Sequence, residues 1–199
     1  MEITAAGLPP DAPRLYQRRK NGESLRYKGT PCSAADCWQL LDKNLNVHLN
    51  TREITATVEK RSDGTPGHAL YERRDDGIWR YIERPCNGAV CPAWEQIDNA
   101  AGTVSIVSNQ AALYQLRRDG SILVHNKKVC QDRVCPGWVL LDKNPRTRQI
   151  AAGVKSVYKL QDDGAIWRYP EPQHCSEVGC PARQLLYDPA IATIVSMQN

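Results

Sequence analysis

Apolar and polar positions alternate in short runs along the chain, and no long window carries the spacing of an amphipathic helix. The runs follow one plan four times: Leu15-Tyr16-Gln17 to Asn44, Leu70-Tyr71-Glu72 to Asn99, Leu113-Tyr114-Gln115 to Asn144, and Val157-Tyr158-Lys159 to Asp188. Each copy opens on an aliphatic-Tyr pair. It continues through a turn dipeptide, an apolar strand, two cysteines and a closing apolar run that ends near Asp. Asn21-Gly22, Asp76-Gly77, Asp119-Gly120 and Asp163-Gly164 sit between apolar runs and predict two-residue hairpin turns. A strand of small or β-branched residues precedes each hairpin (Ile3-Thr4-Ala5-Ala6-Gly7, Ile54-Thr55-Ala56-Thr57, Val104-Ser105-Ile106-Val107, Ile150-Ala151-Ala152-Gly153), and a strand such as Trp138-Val139-Leu140-Leu141 closes each copy.

Tyr71, Tyr114 and Tyr158 lie 43 and 44 residues apart, whereas Tyr16 and Tyr71 are separated by 55. The excess predicts an exposed loop around Glu59–His68, a stretch rich in Gly, Pro and charge. Four short strands per period of about 44 residues predict an all-β, four-bladed β-propeller, with the small-residue strand innermost where blades converge. The expected organisation is one propeller domain over 1–199, with repeats at 2–50, 51–101, 102–146 and 147–190. Ile191-Ala192-Thr193-Ile194-Val195-Ser196 is a fifth copy of the first strand. This closing or surplus strand, at 191–197, is left to pair with an edge of the same chain or with another chain in a homo-oligomer.

The eight cysteines form four C-x4-C pairs, one per repeat: Cys32/Cys37, Cys86/Cys91, Cys130/Cys135 and Cys175/Cys180. A pair recurring at one place in every repeat favours a local disulfide, each worth about 2 kcal/mol in the chain-entropy model. Zinc is the competing reading, but two cysteines per repeat are half a tetrahedral site. Disulfides imply an oxidising, secreted or extracellular setting. The first residues lack the basic start and apolar run of a signal peptide.

Composition narrows the function less. With 26 Lys+Arg against 22 Asp+Glu in 199 residues, the net charge of +4 is spread along the chain, which gives no nucleic-acid arm. No apolar stretch is long enough for a membrane span. An enzyme is not expected. His48, His68, His125 and His174 occupy different places in their repeats, and the recurring acids are explained by turns and strand ends. No metal or cofactor is implied; a hydrolase with an axial site is the remaining enzymatic alternative.

Aromatic residues recur beside arginine. The third strands read Leu25-Arg26-Tyr27, Trp79-Arg80-Tyr81, Leu123-Val124-His125 and Trp167-Arg168-Tyr169, and the fourth strands add Trp38, Trp94 and Trp138, with Arg183 in that place in the last repeat. Packing between blades accounts for buried rings. An indole at a blade junction also covers the C–H face of a sugar, with Arg and Asp bonding its hydroxyls. The candidate ligand-binding residues are therefore Arg26, Tyr27, Trp79, Arg80, Tyr81, Trp94, Trp138, Trp167, Arg168 and Tyr169.

The joint plan Leu-Tyr-Gln, Asp-Gly, Ile-Trp-Arg-Tyr, Pro-Cys…Cys-Pro-Gly-Trp and Leu-Leu-Asp-Lys-Asn-Pro-Arg-Thr-Arg-Gln-Ile-Ala-Ala-Gly, spelled by the second, third and fourth repeats, resembles the repeats of tectonin-like propeller lectins and of bacterial fucose-binding propeller lectins. The resemblance covers nearly the whole chain. It implies a sugar site at each blade or blade junction, for fucose, O-methylated sugars or similar glycans, used multivalently and without catalysis. The chain departs from those lectins in its four repeats, in the third strand of repeat three and at Arg183. The alternative is a protein-interaction or targeting propeller of a secreted or toxin assembly.

Overall fold

A computed structural model of the chain describes residues 2–6, 14–29, 37–42, 51–60, 66–82, 94–99, 102–109, 112–131, 134–170 and 183–188. The described residues form sixteen strands, and among them there is no helix long and apolar enough to cross a membrane. The strands make four antiparallel sheets of four, each in sequential order. Sheet one holds β1 (Glu2–Ala6), β2 (Arg14–Arg18), β3 (Ser24–Tyr27) and β4 (Trp38–Asp42). Sheet two holds β5 (Glu53–Lys60), β6 (Pro66–Arg74), β7 (Gly77–Tyr81) and β8 (Trp94–Asp98). Sheet three holds β9 (Thr103–Ser108), β10 (Leu113–Arg117), β11 (Ser121–His125) and β12 (Trp138–Lys143). Sheet four holds β13 (Thr147–Gly153), β14 (Ser156–Gln161), β15 (Ile166–Pro170) and β16 (Gln184–Tyr187). This is a β-propeller-like all-β fold with one sheet per sequence repeat. The surplus strand at 191–197 lies outside the described residues, as do His48 and His174.

Each sheet carries the same irregularity. The ladder between third and fourth strands slips at Ser24/Leu25, Ile78/Trp79, Ile122/Leu123 and Ile166/Trp167. One residue of each fourth strand is left out of the ladder: Leu41, Ile97, Leu141 and Leu186. A bulge at one place in every sheet re-aims that side chain, and the first three of these are buried.

Two sequence expectations change. Glu59–His68 is not simply a loop: β5 and β6 extend into it, with Val58, Glu59 and Lys60 paired to His68, Gly67 and Pro66, and 61–65 lies outside the described residues. The hairpin turns also differ. Gly22, Gly120 and Gly164 have φ near 80°, and each N–H bonds the carbonyl three residues back, at Arg19, Arg117 and Gln161. Asn21, Asp119 and Asp163 do not share the positive φ, so these are three-residue turns closed by a left-handed glycine. A two-residue primed turn would need positive φ at both of its centres. At the remaining turn, Asp75 and Asp76 form the tip and Gly77 starts β7 at φ +140°.

The chain divides into two compact units, 1–101 with 127–137 and 102–126 with 138–199. In the first unit β1 lies beside β5, and in the second β9 lies beside β13, so the small-residue strands adjoin as expected. The core of the first unit is made where Tyr16 and Leu41 of sheet one meet Ile54, Ala56, Leu70 and Tyr81 of sheet two. That of the second is made where Tyr114, Leu116, Ile122, Val124 and Leu141 of sheet three meet Ile150, Val157 and Tyr169 of sheet four. Cys130 and Cys135 form a disulfide, which takes both sulfurs away from any metal. Its loop belongs with the first unit, where the Cys130 N–H donates to the Gln96 carbonyl at 3.1 Å. Cys37 is disulfide-bonded as well, while Cys32, Cys86, Cys91, Cys175 and Cys180 lie outside the described residues.

Candidate functional site

Strand alternation sorts the predicted residues onto two faces of each sheet. Trp79 and Tyr81 share one face, and Arg80 lies on the other with Tyr71 and Glu95, its cross-strand partners. Every third-strand arginine is engaged within its own sheet: Arg26 Nη2 donates to Gln39 Oε1 at 2.5 Å, Arg80 Nη1 to Glu95 Oε1 at 2.7 Å, and Arg168 Nε to Ser156 Oγ at 2.9 Å. Trp79, Arg80 and Tyr81 therefore cannot line one pocket from one strand. The same holds for Trp167, Arg168 and Tyr169.

Strand register places an arginine of one sheet on the face that packs against the next sheet, whose own face carries the aromatics. Arg26 and Gln39 lie across from Tyr16 in sheet one, on the face that packs against sheet two. From sheet two, Tyr81 enters that core and half-buried Trp94 packs against it. Tyr81 and Trp94 are cross-strand partners with ring centroids 5.2 Å apart. This pairing recurs as Tyr27 with Trp38 at 5.5 Å and as His125 with Trp138 at 4.9 Å. The Trp94 indole nitrogen is buried, and no acceptor meets its N–H among the described residues. The corresponding junction of the second unit is different. Val124 and Val139 replace the Arg26–Gln39 pair and pack with Tyr169 and Trp167.

A buried cation lies beside the aromatics in both units. Arg74 donates from Nη2 to Asp42 Oδ2 of the preceding sheet at 2.6 Å and from Nε to Glu72 Oε2 at 2.8 Å. Its guanidinium lies 4.8 Å from the Trp94 ring and 5.2 Å from that of Trp79. Glu72 also accepts from Thr51 Oγ1 at 2.9 Å. Burial raises the Glu72 carboxyl above its usual range; Arg74 opposes this and Asp42 adds to it. In the second unit Lys159 donates to Asp142 of the preceding sheet and sits 5.9 Å from Trp167 and 5.8 Å from Tyr169. Burial, with Asp142 nearby, pushes the Tyr169 phenol well above its usual range.

The two arrangements are one device with its parts exchanged. Glu72 and Arg74 occupy the places that Lys159 and Gln161 hold in repeat four, two residues apart on one strand face. Moving the cation two positions keeps it between the preceding sheet's Asp and the following sheet's Trp. Gln161 then accepts from Trp167 Nε1 at 2.8 Å, a role Asp76 fills for Trp79 at 2.9 Å. Trp79 and Trp167 thus have both an acceptor and a cation from the chain itself. Arg183, in the place of Trp94, lies 4.7 Å from the Trp167 ring.

Sequence reasoning singled out Arg26, Tyr81 and Trp94, which lie on the two faces that form the junction of sheets one and two. It did not single out Gln39, Arg74 or Glu72 as parts of that junction, nor Lys159 and Asp142 as parts of its counterpart in the second unit. The detectable signal was the exchange of Glu72 and Arg74 for Lys159 and Gln161 in otherwise aligned strands.

No protein-family description and no curated protein matches this chain. Solved structures do match, among them human WBSCR16, with a TM-score of 0.53 and 7% identity over 94% of this chain. The match covers 54% of that protein, so the chain spans about half its length. At that identity the likeness concerns the fold alone.

Proposed function

We propose that the protein is a lectin whose four sheets are propeller blades, each stapled by its C-x4-C pair, and that it binds glycans between successive blades. The reading is supported above all by the junction of sheets one and two. There the buried indole N–H of Trp94, one ring of the Tyr81–Trp94 pair, meets no acceptor among the described residues, on the same junction as the Arg26–Gln39 donor and acceptor groups. A buried donor left unpaired costs about 1–3 kcal/mol. A sugar hydroxyl accepting from Trp94 relieves that cost, while the rings meet the C–H face of the sugar and Arg26 supplies a fork of donors. The second unit, with valines in place of Arg26 and Gln39, is the weaker site. Single sites of this kind act together on a surface that displays many copies of a glycan.

A glycan array with monosaccharide competition tests the reading. Binding to a related set of glycans, displaced by one free sugar, supports it. An array with no displaceable binding, at a protein concentration where the chain is folded, contradicts it.

A further inference from the structure

The third-strand arginines of the first unit differ in what balances their charge. Arg80 pairs with the carboxylate of Glu95 across its own sheet at 2.7 Å. Arg26, in the same place in sheet one, meets the neutral amide of Gln39 instead, and among the described residues no carboxylate pairs with it. Asp42 and Glu72, the acids on this junction, are both held by Arg74. Burial favours the uncharged form of Glu72, so the described acids leave the charge of Arg26 unbalanced. Register sets that guanidinium opposite the aromatic pair. Ser24 and Asp42 are cross-strand partners on the sheet-one face, and Asp42 reaches Arg74 beside the Trp79 and Trp94 rings. Arg26 is the next residue on that face along β3, as Tyr81, the partner of Trp94, is the next after Trp79 along β7. The second unit repeats the register: Asp142 reaches Lys159, and Val124, in the place of Arg26, shares one core with Tyr169.

The polar groups on these facing rows are donors. A guanidinium has no acceptor, and its bond to Gln39 Oε1 fixes which end of that amide is which, leaving the Gln39 NH2 as a second donor. The buried Trp94 N–H, which meets no acceptor among the described residues, is the third. Arg74 over the Trp94 ring draws electron density from it and strengthens that N–H. A sugar hydroxyl bound by donors alone keeps its own proton unpaired, which is costly where water is excluded. A carboxylate or sulfate accepts at each oxygen and brings the charge that Arg26 lacks. We propose that the junction of sheets one and two takes an acidic sugar, its anionic oxygens accepting from Arg26, Gln39 and the Trp94 N–H. This rests on the glycan reading and narrows it. It also gives Gln39 a role in specificity: Gln39 keeps Arg26 available to an anion, where Glu95 neutralises Arg80.

The test is an array carrying uronate-, sialate- and sulfate-bearing glycans beside their neutral counterparts, followed by calorimetric titration of the full chain with the best-bound matched pair. The acidic member is expected to bind about tenfold or more tightly than the neutral one, by a margin that shrinks as salt is raised. Gln39→Glu supplies the carboxylate that Glu95 gives Arg80, and Arg26→Gln removes the charge. Both variants are expected to bring the two affinities close to parity, with circular dichroism unchanged. Binding confined to carboxylate-bearing glycans, or to sulfated ones, supports the proposal and identifies the group. Neutral glycans bound as tightly as acidic ones overturn it and leave the glycan reading standing, as does an acidic preference that survives both variants. An array on which neither acidic nor neutral glycans bind overturns the proposal and the glycan reading together.

Discussion

Removing the acid from the buried ion pair of the second unit is expected to cost far more than removing the base. Lys159 is fully buried while Asp142 keeps 14% of its side-chain surface. In Asp142→Ala the ammonium stays in a pocket walled by Trp167 and Tyr169, and two rings near 6 Å do not replace a carboxylate. Breaking a buried pair in this way costs about 3–5 kcal/mol. In a chain of this length each kcal/mol lowers the melting temperature by roughly 2–4 °C, so the loss is about 10 °C. Lys159→Gln leaves Asp142 partly solvated with Arg183 3.9 Å away, and installs the residue that repeats one and three carry there, Gln17 and Gln115. Its cost is expected to be below about 2 kcal/mol. Urea unfolding of both single variants and of the double variant measures the coupling. The double variant should recover much of what Asp142→Ala loses. If Asp142→Ala loses no more than Lys159→Gln, the cation is not held by that carboxylate and the exchange between repeats has been misassigned.

Gly120→Ala should cost about 2–5 kcal/mol, because φ is +79° and an added Cβ would sit 1.9 Å from the Asn144 carbonyl oxygen, whereas Gly29→Ala, at φ +86° in open space, should cost only about 1 kcal/mol; equal losses in thermal melts would contradict the turn assignment. Glu72 has its carboxyl raised above 4.5 by burial, so its contribution to stability is fully present below that value and is lost as pH rises through the raised value. Glu72→Gln, which still accepts from Thr51, should therefore gain on the wild type as pH rises above the ordinary carboxylate range, and a difference in melting temperature that does not change with pH refutes the upward shift. Replacing Cys130 and Cys135 together by Ser should cost about 2 kcal/mol in denaturant unfolding, and no change would mean that the short loop is held by its other contacts.

The period, the strand count and the sheet order were legible because each repeat writes them in the same residues: an aliphatic-Tyr pair, a glycine turn and a closing apolar run. The turn type was not, because an Asp-Gly or Asn-Gly dipeptide serves both a two-residue turn and a three-residue turn closed by a left-handed glycine. The loop assigned to Glu59–His68 became a hairpin extension because backbone pairing there asks little of the side chains. Site residues on one strand were legible one at a time, but their grouping was not. Alternation places Arg80 away from Trp79, so a junction draws its arginine from the preceding sheet, and a single strand does not reveal that. The Arg74 and Lys159 cations were hidden for a related reason. Each is paired with an aspartate about 20 or 30 residues earlier, and the charge changes position between repeats while its location between the sheets does not.

The claim that the junction of sheets one and two binds a sugar is tested most directly by calorimetric titration of the glycan identified on the array, with thermal melting of the same samples. Arg26→Ala and Trp94→Phe are predicted to weaken affinity at least tenfold, about 1.4 kcal/mol, while the melting temperature stays within a few degrees; the phenylalanine keeps one aromatic ring beside Tyr81 and removes the N–H together with the rest of the indole. Val139→Ala, at the second unit's apolar junction, should lower the melting temperature and leave that affinity unchanged. Wild-type affinity in both Arg26→Ala and Trp94→Phe would contradict the account.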